Sequence, residues 1–359
     1  MKFIYKITFL LLFFPLISSA NDKDKKHEKS KTITKEYNVN SNALVSLNNK
    51  YGDLNVTTWD KNRVEIEVKI TVKGDDLEDV KEKLKSINIA FNASSSKVSA
   101  KTTFGEKKSS WFWWKKSKNV NYKINYIVKM PKTNSVDLDN DYGSIYLGNI
   151  SGSADINCDY GKIIVGELSS NDNNINLDYC SASTIAYMKS GDVNIDYSKL
   201  SIENSQDIKV NADYSTLKFD KAGAIDFNAD YGSITINDAE DINGNSDYVS
   251  LRFGTVRKNL IIDTEYGSLI VKNLVEGFEK VDISGQYTGI KIYVEPTISF
   301  NFKIDLQYGS FKRNNDKLEL TKSISKSTKK YYEGKYGKGK SSGNLKINSQ
   351  YGSVRIKEN

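Results

Sequence analysis

The chain has 359 residues, with 52 Lys and Arg against 45 Asp and Glu, one histidine and two cysteines. A single histidine, His27, cannot build a histidine-based triad or a His-ligated zinc site, and two cysteines are too few for a disulfide framework. The formal charge of +7 hides an acidic middle, since residues 136–300 hold 12 basic and 26 acidic side chains; nucleic acid needs a continuous basic surface and is therefore not an expected partner.

In chain order, residues 1–20 read as a secretory signal peptide. Lys2 and Lys6 open it, residues 7–17 are apolar, and Ser18-Ser19-Ala20 is a small-residue cleavage site. The apolar run breaks at Pro15 and falls short of the roughly 20 residues a membrane span needs. No cysteine follows the cleavage site, so a lipid anchor there is not expected. The expectation is an exported protein of the periplasm, outer envelope or cell surface, with no transmembrane segment after cleavage. Residues 21–35 are charged and Lys-rich, which predicts a disordered tether.

Residues 36–135 read as a β-rich cap region. Alternating stretches at 38–47, 53–57, 63–72, 87–91, 98–104 and 122–130 predict strands, the last ending at Pro131. Tyr51-Gly52-Asp53 is an early variant of a corner that recurs later. Residues 75–87 predict a short helix with Asp75 as its cap, Glu78 three residues on, and an apolar stripe of Leu77, Val80, Leu84 and Ile87. Such a helix would shield an open end of a stack. Within this region, residues 107–118 read KKSSWFWWKKSK, a hairpin tip with Trp111, Phe112, Trp113 and Trp114 between lysines. These four aromatics are candidate contacts for a membrane surface or a glycan, against the alternative that the tip folds back on the core.

Residues 136–359 predict a β-solenoid. Copies of a motif seen in NADYGSITI, residues 228–236, place tyrosines at Tyr142, Tyr160, Tyr179, Tyr197, Tyr214, Tyr231, Tyr248, Tyr266, Tyr287, Tyr308 and Tyr351. A period of about 17–21 residues implies stacked turns of chain. Four residues before the tyrosine the chain is apolar, as at Ile156, Ile175, Val193 and Phe227. Three and five residues after it, it is apolar again, as at Ile234 and Ile236. This alternation predicts strand, corner and strand in each coil, stacked about 4.8 Å apart with right-handed connections. The fold class expected is therefore all-β, a single-stranded right-handed β-helix with a small cap containing one helix.

Two polar columns follow from the same alternation. The residue before the tyrosine is Asp141, Asp159, Asp178, Asp196, Asp213, Asp230 or Asp247, and later Glu265, Gln286, Gln307 or Gln350. Three residues before it stand Asn157, Asn176, Asn194, Asn211, Asn228 and Asn245. Carboxylates stacked at that spacing repel by roughly 0.9 kcal/mol per neighbour even in water. Asx-turns accepting a backbone N–H at the corner would account for them. So would calcium bridging Asp178, Asp196, Asp213, Asp230 and Asp247, or a glycan-binding strip. The Asn column suits amide stacking. The tyrosines share parity with the inward positions, so they are expected to point inward as a ring ladder, with a surface sugar-binding stripe as the alternative. Cys158 and Cys180 sit in adjacent coils but out of register, which predicts one core and one corner thiol.

Residues 317–343, rich in Lys, Ser and Gly, interrupt the rhythm and predict a strand, a mobile basic loop and a Gly-rich hairpin returning to residues 344–347. Their GKGK run lacks the strand–loop–helix context of a phosphate loop. No GxSxG occurs, and carboxylate-only chemistry on a β-helix face is the remaining enzymatic option. That option would make the chain a polysaccharide lyase or glycosidase. The uniform repeat argues for a non-enzymatic binding surface without a cofactor, or for a calcium-stiffened spacer.

The order of parts resembles an adhesin-like family of bacterial exported β-helix proteins, related to GIN-type auto-transporter adhesin head domains. The resemblance rests on YGDLNVTTWDKNRVEIEV at residues 51–68, INYIVKMPK at 124–132, and the recurring DYGSI corner. It implies a right-handed β-helix, an envelope or surface location, and binding of a glycan, a membrane surface or another envelope protein. It supplies no catalytic residues to carry over.

Overall fold

The computed structural model describes residues 25–105, 119–312 and 317–359. The expected signal peptide and the aromatic segment 107–118 lie outside the described residues. What is described is nearly all β, 24 strands and one helix, and divides into two compact units, residues up to 170 and residues 171–359.

The first unit contains β1 (His27–Asn38), β2 (Leu44–Lys50), β3 (Leu54–Trp59), β4 (Arg63–Gly74), α1 (Leu77–Ser86), β5 (Ile87–Ala93), β6 (Lys97–Phe104), β7 (Val120–Pro131), β8 (Ser135–Asp141), β9 (Ser144–Leu147), β10 (Ala154–Asp159) and β11 (Lys162–Leu168). Strand β1 corrects the expected tether, because residues 27–35 pair antiparallel with β4, Ile33 opposite Val68. Alternation decided this over composition. The β4 face is fully buried at Val64, Ile66, Val68, Ile70 and Val72, and β1 covers the exposed backbone edge of β4. Lys31 shows how a lysine joins such a strand: its Nζ donates to the Ile87 carbonyl at 2.6 Å, and desolvation lowers its pKa. Helix α1 starts one residue later than expected, with Asp76 accepting from the N–H groups of Glu78 and Asp79.

Strands β2 and β3 are members of the repeat rather than a prelude to it. β2 pairs in parallel with β8, Leu47 opposite Leu138, and β3 with β9, Leu54 opposite Ile145. The 91-residue step between Leu47 and Leu138 is an excursion that returns to register. A buried polar group fastens it: Thr102 Oγ1 donates to Asn49 Oδ1 at 3.0 Å, and Asn49 Nδ2 donates to Asn140 Oδ1 at 3.1 Å.

The second unit contains β12 (Asn173–Asp178), β13 (Ser183–Asp196), β14 (Lys199–Asp213), β15 (Thr216–Glu265), β16 (Ser268–Leu274), β17 (Lys280–Gln286), β18 (Gly289–Val294), β19 (Phe300–Gln307), β20 (Ser310–Lys312), β21 (Leu318–Ser325), β22 (Lys329–Tyr336), β23 (Gly343–Gln350) and β24 (Ser353–Glu358). Successive repeats pair in parallel and in register: Val193 meets Val210, and Val210 meets Phe227. These positions are buried and stack on their own kind.

Two features differ from the sequence expectation. Residues 318–336 form an antiparallel hairpin, Ser325 opposite Lys330, instead of a mobile loop. Strand β22 lies against β19, and its buried Tyr336 stacks on Phe300; alternating aromatic and small residues give that strand a face to bury. The last repeat does not follow the previous one in space. β23 pairs in parallel with both β17 and β19, Ile347 lying between Ile283 and Ile304.

Candidate functional site

The corner of the repeat carries the most distinctive chemistry. Twelve tyrosines, from Tyr51 to Tyr351, have positive φ between 48° and 66°. A left-handed conformation costs a side-chain-bearing residue about 1–2 kcal/mol. It also swings the residue out of the strand alternation, which corrects the expected inward placement. The tyrosines stand outside, Tyr197 and Tyr214 each 52% exposed, and the inward place passes to the next residue. There Ser198 and Ser215 are buried, their hydroxyls donating to the Asp196 and Asp213 carbonyls at 2.8 and 2.7 Å. Where that residue is glycine, the space is closed: a Cβ on Gly161 would lie 1.9 Å from the Gly143 carbonyl oxygen.

Backbone bonds fix the corner from one repeat to the next, as the Tyr197 N–H donates to the Asp213 carbonyl at 3.1 Å. The rings consequently stack. In the first unit Tyr51, Tyr142 and Tyr160 lie 5.2 and 5.0 Å apart. In the second, Tyr179, Tyr197, Tyr214, Tyr231, Tyr248, Tyr266 and Tyr287 follow at 4.8–5.0 Å. The column then passes to Tyr351 and only afterwards to Tyr308. Near-parallel planes turn the faces towards one another, so ring edges and phenol hydroxyls form the outer surface. Stacking is worth about 0.5–1.5 kcal/mol per pair, which offsets the backbone cost without leaving a large surplus.

The flanking columns are polar. Asn211 Nδ2 donates to Asn194 Oδ1, and Asn194 Nδ2 to Asn176 Oδ1, both at 2.9 Å, the amide ladder that the sequence suggested. On the other side Ser250 and Ser268 hydroxyls meet at 3.3 Å. The calcium candidates Asp178, Asp196, Asp213, Asp230 and Asp247 stand exposed beside the rings. Desolvation first, and the neighbouring carboxylates second, raise the pKa of Asp196 and Asp213, while the main chain of the next repeat, at Asp213 and Asp230, acts in the direction that lowers it. None of these five aspartates forms an ion pair with a described residue, and among the described residues no group of three or more His, Cys, Asp or Glu is placed to hold a metal ion. Tyr197, Tyr231 and Tyr266 are likewise raised, by desolvation and then by adjacent phenols and carboxylates.

The other sequence candidates, Trp111, Phe112, Trp113 and Trp114, lie outside the described residues. Cys158 and Cys180 are both buried, so the expected corner thiol is a core thiol; Cys180 takes the inward place that Ser198 takes one repeat on. Parity counting missed the exposed rings because it carries the alternation through a left-handed residue. The glycine after most tyrosines was the available signal, since it marks the position that must turn inward against backbone.

No protein-family model matches the chain, and no curated protein matches it. Solved structures that match include a candidate cell adhesion protein from Clostridium sporogenes, at 15% identity over 93% of this chain and 100% of that one, TM-score 0.19. A candidate adhesin from Parabacteroides distasonis matches at 12% identity over 91% and 97%, TM-score 0.31. A candidate lipid-binding protein from the same organism matches at 9% identity over 90% and 96%, TM-score 0.26. At these scores the likenesses carry no argument about this chain. Among the described residues no helix is long and apolar enough to cross a membrane.

Proposed function

We propose that this chain is an exported, non-enzymatic right-handed β-solenoid whose tyrosine-centred face binds a component of the cell envelope or cell surface, as an adhesin or an envelope-associated binding protein. The parallel register of successive repeats supports the solenoid, and the signal sequence supports export. One observation carries the binding role: within each unit a column of half-exposed phenol rings is held on left-handed backbone, where glycine or asparagine would sit at lower cost. Exposed aromatic surface of this extent is characteristic of an interaction site.

The chemistry of the face favours a long hydrogen-bonding polymer, a glycan before a lipid surface. Phenol hydroxyls, Asn amides, carboxylates and Ser hydroxyls repeat in parallel columns, while the ring faces are already used by one another. The test is a panel of glycans, liposomes and envelope extracts. It is probed with wild type, with Tyr197, Tyr214, Tyr231 and Tyr248 changed to Asn, and with Trp111, Trp113 and Trp114 changed to Ala. Asparagine tolerates the left-handed backbone, so the first variant removes rings while sparing the corner. Glycan binding lost in the tyrosine variant supports the proposal. Binding lost only in the tryptophan variant moves the site to residues 107–118 and contradicts it.

A further inference from the structure

A second surface of the 171–359 unit lies away from the tyrosine column and is independent of the function proposed for that column. Seven and five residues before the tyrosines, successive repeats form an open groove of about 590 Å³. Asp172, Asp192, Asp207, Asp226 and Asp241 line it, with Lys209 as the one cation. In register Lys209 lies between Asp192 and Asp226, yet it forms no ion pair with a described residue. Asp226 and Asp241 accept from Asn243 and Asn259 at 3.1 and 2.7 Å, which orients the two carboxylates without neutralising them. The groove's accessible hydrocarbon is at Ile261, 39% exposed, while Ile208 and Ile225 beneath it are buried. Acidic walls over apolar lining suit a lysine-rich segment, whose aliphatic stems lie on hydrocarbon while the ammonium groups reach carboxylates.

The same unit displays such a segment. The β21–β22 hairpin, residues 318–336, carries Lys322, Lys326, Lys329, Lys330 and Lys335 against Glu319 and Glu333. Its turn is closed by the Lys326 N–H donating to the Lys329 carbonyl at 2.8 Å. Lys326 and Lys329 are exposed and form no ion pair with a described residue, and Ile324 beside them is 41% exposed. A hairpin tip that is basic and apolar at one point, with β22 paired to β19, complements the groove in charge and in hydrocarbon.

We propose that the acidic groove of one copy receives the basic β21–β22 hairpin of a second copy, so that the protein self-associates. Contacts of this kind join unlike surfaces, and assembly proceeds beyond two copies unless the rotation closes a ring. The association depends on salt, since screening shortens from about 10 Å at 0.1 M to about 3 Å at 1 M ionic strength.

Sedimentation velocity of the full chain over a range of concentrations tests this with two variants: D207K/D226K in the groove and K326E/K329E in the hairpin. Circular dichroism and melting confirm that each is folded. Wild type is expected to assemble with rising concentration at low salt and to dissociate at about 1 M salt. Each variant alone should associate at least tenfold more weakly, about 1.4 kcal/mol or more. Mixed together, the two variants should recover association, because each hairpin then meets a groove of opposite charge on the other variant. Wild type that stays monomeric at low salt overturns the proposal. So does assembly that persists in either variant alone, or a mixture that fails to associate. Polylysine binding to the groove of a protein that does not self-associate would also overturn it, assigning the groove to a basic segment of another protein.

Discussion

At the scale of single residues, the corner tyrosine sets two opposed effects against each other. Its backbone pays for the left-handed turn, and its ring recovers much of that by stacking on both neighbours. Replacing Tyr214 by Ala removes the ring and keeps the strained backbone, whereas Tyr214→Gly removes both. The glycine variant should therefore be more stable than the alanine variant by about 1 kcal/mol, measured by chemical denaturation; an alanine variant equal to or above it would show that the left-handed turn is not strained. The residue after the tyrosine is constrained by space. Gly161→Ala drives a Cβ to 1.9 Å from the Gly143 carbonyl oxygen, while a Cβ on Gly289 meets nothing within 4 Å. Gly161→Ala should cost on the order of 2–3 kcal/mol and Gly289→Ala less than about 0.5 kcal/mol.

At the scale of elements, the columns make stability depend on pH with a definite sign. The pKa of Asp196 and of Asp213 is raised above the ordinary carboxyl value, so folding favours their neutral forms. That contribution is present below pH of about 3.8 and is lost as pH rises through the folded pKa. Asp196→Asn with Asp213→Asn should accordingly raise the melting temperature at pH 7, and the gain should vanish near pH 4. The phenols act at the other end of the scale: Tyr197, Tyr231 and Tyr266 are raised above 10.0. Their contribution holds below that pH and is lost above it, so thermal stability should fall in strong alkali. The inserted last repeat gives a further prediction. Deleting residues 343–359 leaves β17 and β19 without the strand between them. Hydrogen exchange should then accelerate across residues 300–336 while residues 190–260 keep their protection. Equal acceleration in both regions would contradict the inserted arrangement.

At the scale of the molecule, the period, the strand faces, the amide ladder and the helix were legible because each follows from local alternation or spacing. Val193, Val210 and Phe227 announce their burial by position alone. Long-range order was not legible. Nothing in residues 343–359 indicates that they insert before residues 300–312, since every repeat has nearly the same pairing face. Composition misled at residues 27–35 and 318–336, where lysine-rich segments are strands whose backbones satisfy a neighbouring edge. The site was half legible: the tyrosines were found at once, but their direction depended on a backbone angle that alternation cannot express. That direction is the central claim, and tyrosine nitration mapped by mass spectrometry tests it most directly. The account predicts that Tyr179, Tyr197, Tyr214, Tyr231, Tyr248 and Tyr266 react in the folded protein, while the fully buried Tyr126 and Tyr336 react only after unfolding. Protection of the whole column in the folded state would contradict it and return the rings to the core.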